Sequence, residues 1–196
     1  MRDKYGVGDD PDCYPGTNVL RNKLGIQDEH VLQEAEAAFA AASAESIELH
    51  LGPFTLEYLC QLHRALFRDV YEWAGDLRTV DISKGTTRFC TCARIVPEAT
   101  RLLGLLDSEP LSNALDPADG MLRIAELYGE LNLVHPFREG NGRTQRLLFE
   151  HWLLSRGLSV SWQDVAREEW IAGCISAVRC DYAPLAKVFS RCIKEL

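Results

Sequence analysis

Long apolar runs, paired cysteines and surplus positive charge are all missing from this 196-residue chain. The first residues, MRDKYGVGDDPDCYPG, hold no apolar stretch of the kind a signal peptide needs, and no later segment approaches the length of a membrane span. A cytoplasmic location without membrane contact is therefore expected. Seven cysteines (Cys13, Cys60, Cys90, Cys92, Cys174, Cys180, Cys192) are odd in number and lack CxxC spacing, which predicts reduced thiols rather than a disulfide framework. Cys90 and Cys92 are half of a metal site at most, because no second ligand pair completes one; alternating strand positions are the plainer reading. With 21 Lys and Arg against 29 Asp and Glu, the net charge of -8 excludes broad attraction to nucleic acid, so any anion site must be local. Prolines number only eight, and there is no internal repeat or low-complexity tract. At 46% hydrophobic and 26% charged residues the chain has the make-up of one folded domain that buries its core without disulfide or metal staples.

What is present is mostly helical pattern. Residues 1–27, rich in Gly, Pro and Asp, read as an irregular arm packed on a single globular unit spanning 28–196. From Asp28 the apolar positions Val31, Leu32, Ala35, Ala38, Phe39 and Ala42 recur at three and four, and Gly52 and Pro53 stop the helix. Thr55 caps a second helix carrying Leu56, Leu59, Leu62, Leu66 and Phe67 inward. The one strand signal is TVDISKGTTRFCTCARI, a β-hairpin around Lys84, Gly85, Thr86 and Thr87. Pro97 is placed to open a third helix, and SEPLSNALDPAD reads as a surface connection. A buried helix from Ala118 to Val134 follows, then one from near Gly142 to Gly157. Two more complete the chain, about Asp164 to Arg179 and about Tyr182 to Lys194, the last capped by Asp181. The fold class is mostly α with one hairpin.

One segment fits neither pattern. In HPFREGNGR, Pro136 ends the helix that delivers His135, because proline lacks an amide hydrogen and disfavours helical geometry before it. Gly140, Asn141 and Gly142 can turn backbone amides inward as an anion nest, strengthened by the dipole of the helix that starts there. Arg143 and Arg146, three apart on that helix, can grip phosphate oxygens. Glu139 beside the nest would weaken anion binding unless a cation intervenes, and magnesium commonly takes one carboxylate plus phosphate oxygens. Neutral His135 can accept a proton from an attacking hydroxyl. These are the needs of phosphoryl or nucleotidyl transfer. Reading His135 and Glu139 as hydrolase metal ligands fails, since Pro136 and Gly140 break the helix that spacing assumes and no second histidine is suitably placed.

His135, Phe137, Glu139, Gly140, Asn141, Gly142, Arg143 and Arg146 match the signature HxFx(D/E)GNGRxxR at every defined position, and the chain thereby resembles Fic-domain proteins. YPGTNVLRNKLGI, LHRALFRDVYEWAGDLRTVDISKG and DYAPL look like segments of short, single-domain bacterial Fic toxins. The resemblance implies a Fic (Fido) helical fold with one β-hairpin flap and protein adenylylation: transfer of AMP from ATP to a target hydroxyl with release of pyrophosphate. It implies His135 as general base, Glu139 as the magnesium carboxylate, Gly140, Asn141 and Gly142 as the phosphate loop, Arg143 on the phosphates and Arg146 on the γ-phosphate. The hairpin matches the family's flap, which pairs with an extended segment of the target, and Lys84 is assigned to nucleotide or target contact. Many Fic proteins carry an inhibitory motif (S/T)xxxE(G/N), yet no Ser or Thr here has Glu four residues later. A separate small antitoxin supplying a glutamate to Arg146 is thus expected. Toxins of this type modify DNA gyrase and topoisomerase IV, which are the first targets to consider. The alternatives are a related transferase moving UMP, phosphocholine or phosphate, or a phosphate-binding module without catalysis.

Overall fold

In the computed structural model, which describes residues 12–108, 117–163 and 165–196, the helix order follows the apolar periodicity. The elements are α1 (Glu29–Ala44), α2 (Leu56–Phe67), β1 (Ser83–Lys84), β2 (Thr87–Arg88), α3 (Cys92–Ser108), α4 (Pro117–Val134), α5 (Asn141–Ser155), β3 (Leu158–Val160), α6 (Arg167–Ala177), α7 (Ala183–Cys192) and β4 (Ile193–Glu195). The first eleven residues and most of the SEPLSNALDPAD connection lie outside the described residues, as does Asp164. No helix among those described is long and apolar enough to cross a membrane.

Two caps form as their side chains dictate. Asp28 accepts the amide of Val31 and Thr55 that of Tyr58, each satisfying an orphan donor of the first turn. α4 then lies at the centre, packed by α3, α5, α6 and α7, with Ile124, Ala125, Tyr128 and Leu131 buried as its periodicity requires. Trp152, Leu148 and Phe149 of α5 complete this core. A second apolar cluster joins Cys13, Val19 and Leu20 to Leu32, Leu66, Phe67 and Tyr71, so the segment from Asp12 onward is packed against α1 and α2.

Several expectations need correction. α1 ends at Ala44 rather than near Gly52: Ser46 turns back, its amide and its hydroxyl both bonding the Ser43 carbonyl, which competes with helix continuation. The face α1 buries is Leu32, Glu36 and Ala40, while Val31 and Phe39 are exposed. α3 starts at Cys92 and contains Pro97, because the Asp81 carboxylate caps the Cys92 amide from across the hairpin at 2.8 Å. Cys92 is therefore helical, not a strand position. Tyr182, not Asp181, stands at the N-cap of α7, with no side-chain cap bond. β3 and β4 add a second antiparallel pair, Leu158 opposite Glu195, which no local pattern announced because its partners are far apart in sequence. The predicted hairpin is present and short, with Ser83 opposite Arg88 and Lys84 opposite Thr87.

Candidate active site

Pro136 terminates α4, and the chain leaves it through His135 in the left-handed region (φ 49°), a conformation a non-glycine residue holds only when its surroundings impose it. Arg78 imposes it here. Its side chain is fully buried. Nε donates to the His135 carbonyl (2.8 Å), Nη2 to those of Val134 (3.3 Å) and Cys90, and Nη1 to Val80 (2.7 Å). One guanidinium thus caps the C-terminus of α4, where positive charge complements the dipole, and fastens the hairpin base to it.

The His135 ring stacks on Phe89 with centroids 3.8 Å apart. Its Nδ1 lies 3.0 Å from the Asn132 carbonyl, which can only accept, so Nδ1 carries the hydrogen and Nε2 keeps its lone pair. Burial disfavours the imidazolium and pulls the pKa down to about 4; the Asn132 carbonyl and Glu139 oppose this, and Lys84 and Arg78 reinforce it. The ring is accordingly a neutral base at neutral pH.

The loop that follows is held from below. Asn141 spends its side chain on the backbone of Phe137, accepting from the amide (2.8 Å) and donating to the carbonyl (2.7 Å), so only its own amide remains for a ligand. Gly140 is the N-cap of α5 at φ 78°, and its carbonyl receives both the amide and the hydroxyl of Thr144. Among the described residues the amides of Asn141, Gly142 and Arg143 meet no acceptor, the ordinary state of a first helical turn and the basis of an anion nest. Glu139 Oε1 accepts the Gly140 amide at 3.0 Å.

His63, wholly buried on α2, supports this loop. Its Nδ1 accepts the Gly75 amide (2.8 Å), which leaves Nε2–H to donate to the Glu139 carbonyl (3.0 Å), and its ring stacks on Phe137 at 3.9 Å. Protonation would put a hydrogen on Nδ1 against the Gly75 N–H. Burial lowers the His63 pKa from 6.5 to about 4. A depressed histidine gives its full stabilisation above pH 6.5 and loses it as pH falls toward 4, because the unfolded chain takes up the proton first. At about 1.36 kcal/mol per unit, His63 alone makes the protein about 2 kcal/mol less stable at pH 5 than at pH 7.5. Urea midpoints at the two pH values read this loss together with that from His135, which burial depresses alike, and equal midpoints would contradict both assignments.

The cations differ in their engagement. Arg143 pairs with Glu36 of α1 at 2.6 Å, stands 4.0 Å from Glu139, and rests on the Phe67 ring at 4.7 Å. Arg146, half-buried, makes no hydrogen bond or ion pair with any described residue. Lys84 is exposed on the hairpin. His135, Glu139, Gly140, Asn141, Gly142, Arg143, Arg146 and Lys84 all line one cavity of about 650 Å³. The hairpin forms one of its walls, and Trp170, Ile171, Cys174 and Ile175 of α6 form another that is largely apolar.

Every site residue expected from sequence is therefore in one place, with Asn141 restricted to its backbone and Arg143 already held by a carboxylate. Sequence reasoning missed Glu36, His63, Arg78 and the α6 wall. Each lies outside the signature, and α1's apolar pattern pointed to a different face. No group of three or more His, Cys, Asp or Glu among the described residues could cage a metal, but a lone carboxylate beside a phosphate nest suits a magnesium ion carried in on phosphates.

Residues 53–153 match the model of the Fic/DOC family. A Salmonella typhimurium protein named protein adenylyltransferase Fic is 42% identical, the match covering 100% of this chain and 98% of that one. The protein adenylyltransferase VbhT of Bartonella schoenbuchensis is 39% identical over 89% of this chain, which spans only 37% of VbhT. Among solved structures, the N-terminal Fic domain of a Bartonella quintana effector with bound ADP superposes with a TM-score of 0.83 at 26% identity, covering 94% of each chain. The chain belongs to the Fic/DOC family.

Proposed function

We propose that this protein is an adenylyltransferase moving AMP from ATP to a hydroxyl side chain of a target protein. The observation that carries the reading is the convergence in one cavity of an unprotonated His135 Nε2, three acceptor-free amides and the uncommitted guanidinium of Arg146. The nest and Arg146 hold the polyphosphate, and the α6 wall offers an apolar surface for the base. The target hydroxyl gives its proton to Nε2 while its oxygen forms a bond to the α-phosphorus; the bond from that phosphorus to the pyrophosphate oxygen breaks, and pyrophosphate leaves. Glu139 is the residue that would hold magnesium, which when bound neutralises phosphate charge. The amides are fixed before the reaction by the turn at Gly140, so charge stabilisation by the nest needs little reorganisation. The exposed hairpin edge, with Lys84, suits an extended target segment.

The finer reading is a cytoplasmic toxin restrained by a separate antitoxin whose glutamate occupies Arg146. Support lies in the contrast between the arginines: Arg143 already has its carboxylate and Arg146 has none. DNA gyrase and topoisomerase IV subunits are the first targets to assay. Incubation with magnesium, cell extract and ATP labelled at either the α or the γ position tests the chemistry; protein-bound α label is expected, and γ label alone would replace this reading with kinase chemistry. Replacing Arg146 by alanine is expected to lower α-label transfer by about 10²-fold, since it removes a charge-assisted grip on the triphosphate. Full activity in that variant would remove Arg146 from the site.

A further inference from the structure

A carboxylate outside the signature meets one of the signature's arginines. Glu36, 5% exposed on the buried face of α1, lies between Leu32 and Ala40 on that face. A charge so placed is costly unless firmly paired. Both its oxygens are engaged: Oε1 accepts the Tyr71 hydroxyl, and Oε2 accepts Arg143 Nη2 at 2.6 Å. Burial and the Glu36 charge push the Tyr71 phenol far up from its ordinary value, so Tyr71 is the donor. Phe67 covers one face of the same guanidinium.

The nearest rival carboxylate is Glu139, which precedes the N-terminus of α5 and stands 4.0 Å from the same Arg143 nitrogen. If Arg143 turned to Glu139, the pair would form beside the acceptor-free amides of the first turn. We propose that Glu36 is a positioning residue: by anchoring one edge of Arg143 it keeps the arginine apart from Glu139 and its remaining N–H groups available to nucleotide phosphates. The inference rests on the nucleotide-binding reading above. Glu36 does not line the cavity, so it acts only through Arg143.

The sign of the effect separates this role from simple electrostatics. Removing a negative charge near an anion site should strengthen phosphate binding, whereas removing the anchor weakens it. ADP titrated calorimetrically in the presence of magnesium provides the readout. Glu36→Gln, nearly isosteric and neutral, is expected to bind ADP about tenfold more weakly than the natural protein. Tyr71→Phe, which keeps the carboxylate but loses its fixing hydroxyl, is expected to lose about threefold. With ATP, KM for Glu36→Gln rises while kcat stays within about twofold, because Arg143 grips the phosphates equally before and during transfer. Unchanged or tighter ADP binding by a folded Glu36→Gln overturns the proposal. Should that variant not fold, Tyr71→Phe decides, and unchanged affinity there overturns it equally. If the natural protein itself binds no ADP, the nucleotide reading falls and takes this inference with it; binding that is indifferent to Glu36 removes Glu36 alone.

Discussion

Replacing His135 by alanine is expected to lower α-label transfer by about 10²- to 10⁴-fold, the range a positioned general base supplies. ADP affinity should hold within about twofold, because the nest, Arg143 and Arg146 do not depend on the ring. The pH dependence carries a second signature. An exposed histidine base would lose activity below about pH 6.5, whereas His135, held neutral by burial, titrates at about 4. Protonation fills the Nε2 lone pair, so activity falls with decreasing pH, and the acid limb of kcat/KM should lie well below 6.5. Rates are best taken on protein checked for folding, since His63 also begins to destabilise the chain in this window. An alanine variant with full transfer, or an acid limb at 6.5, would displace His135 from the role of base.

Alanine at Gly140 and at Gly142 should have opposite consequences, although the two residues stand only two apart in the chain. Gly140 combines φ 78° with a position where an added Cβ would run into the ring of Phe67, which is itself fully buried and fixed. Left-handed strain and overpacking each cost about 1–3 kcal/mol, so Gly140→Ala is expected to lose about 3 kcal/mol or more of stability. At Gly142 the backbone is helical and the nearest atom to an added Cβ is Arg146 Nη1 at 3.8 Å, so nothing in the protein forbids a side chain. Gly142→Ala should be as stable as the natural protein or slightly more so, since alanine favours helix. Its methyl group would nevertheless stand in the cavity beside the first-turn amides, and ADP affinity should fall by about tenfold. Urea denaturation and ADP titration on both variants distinguish a glycine required by packing from one required by a ligand. Equal loss of stability in the two would mean that the loop needs both glycines for folding alone.

The positions of the elements were legible where the cause is local. Thr55 and Asp28 cap the helices they precede, Pro136 ends α4, and a two-residue turn at Gly85 and Thr86 closes the hairpin, because each depends on neighbours a few residues away. Misreadings arose where a distant group decides. Asp81 caps α3 early and carries Pro97 into its interior, and β3 finds β4 across more than thirty residues. On α1, Val31 and Phe39 belong to the apolar pattern yet are exposed, while the helix turns Glu36 to the core.

The same division holds in the site. The sequence alone determined which groups could do the chemistry: a base after a helix break, a glycine nest, one carboxylate and two arginines in a single short segment. Their spacing places them together whatever the rest of the chain does. Tertiary structure decided what each group is free to do. Arg143 is claimed by Glu36 of α1, and Arg146 is left open. His135 is neutral because burial disfavours the imidazolium, and His63 because burial and the Gly75 amide exclude a second proton. Hydrogen-bond partners, desolvation and ion pairs depend on which surfaces meet in space, and a local run of residues does not carry that information.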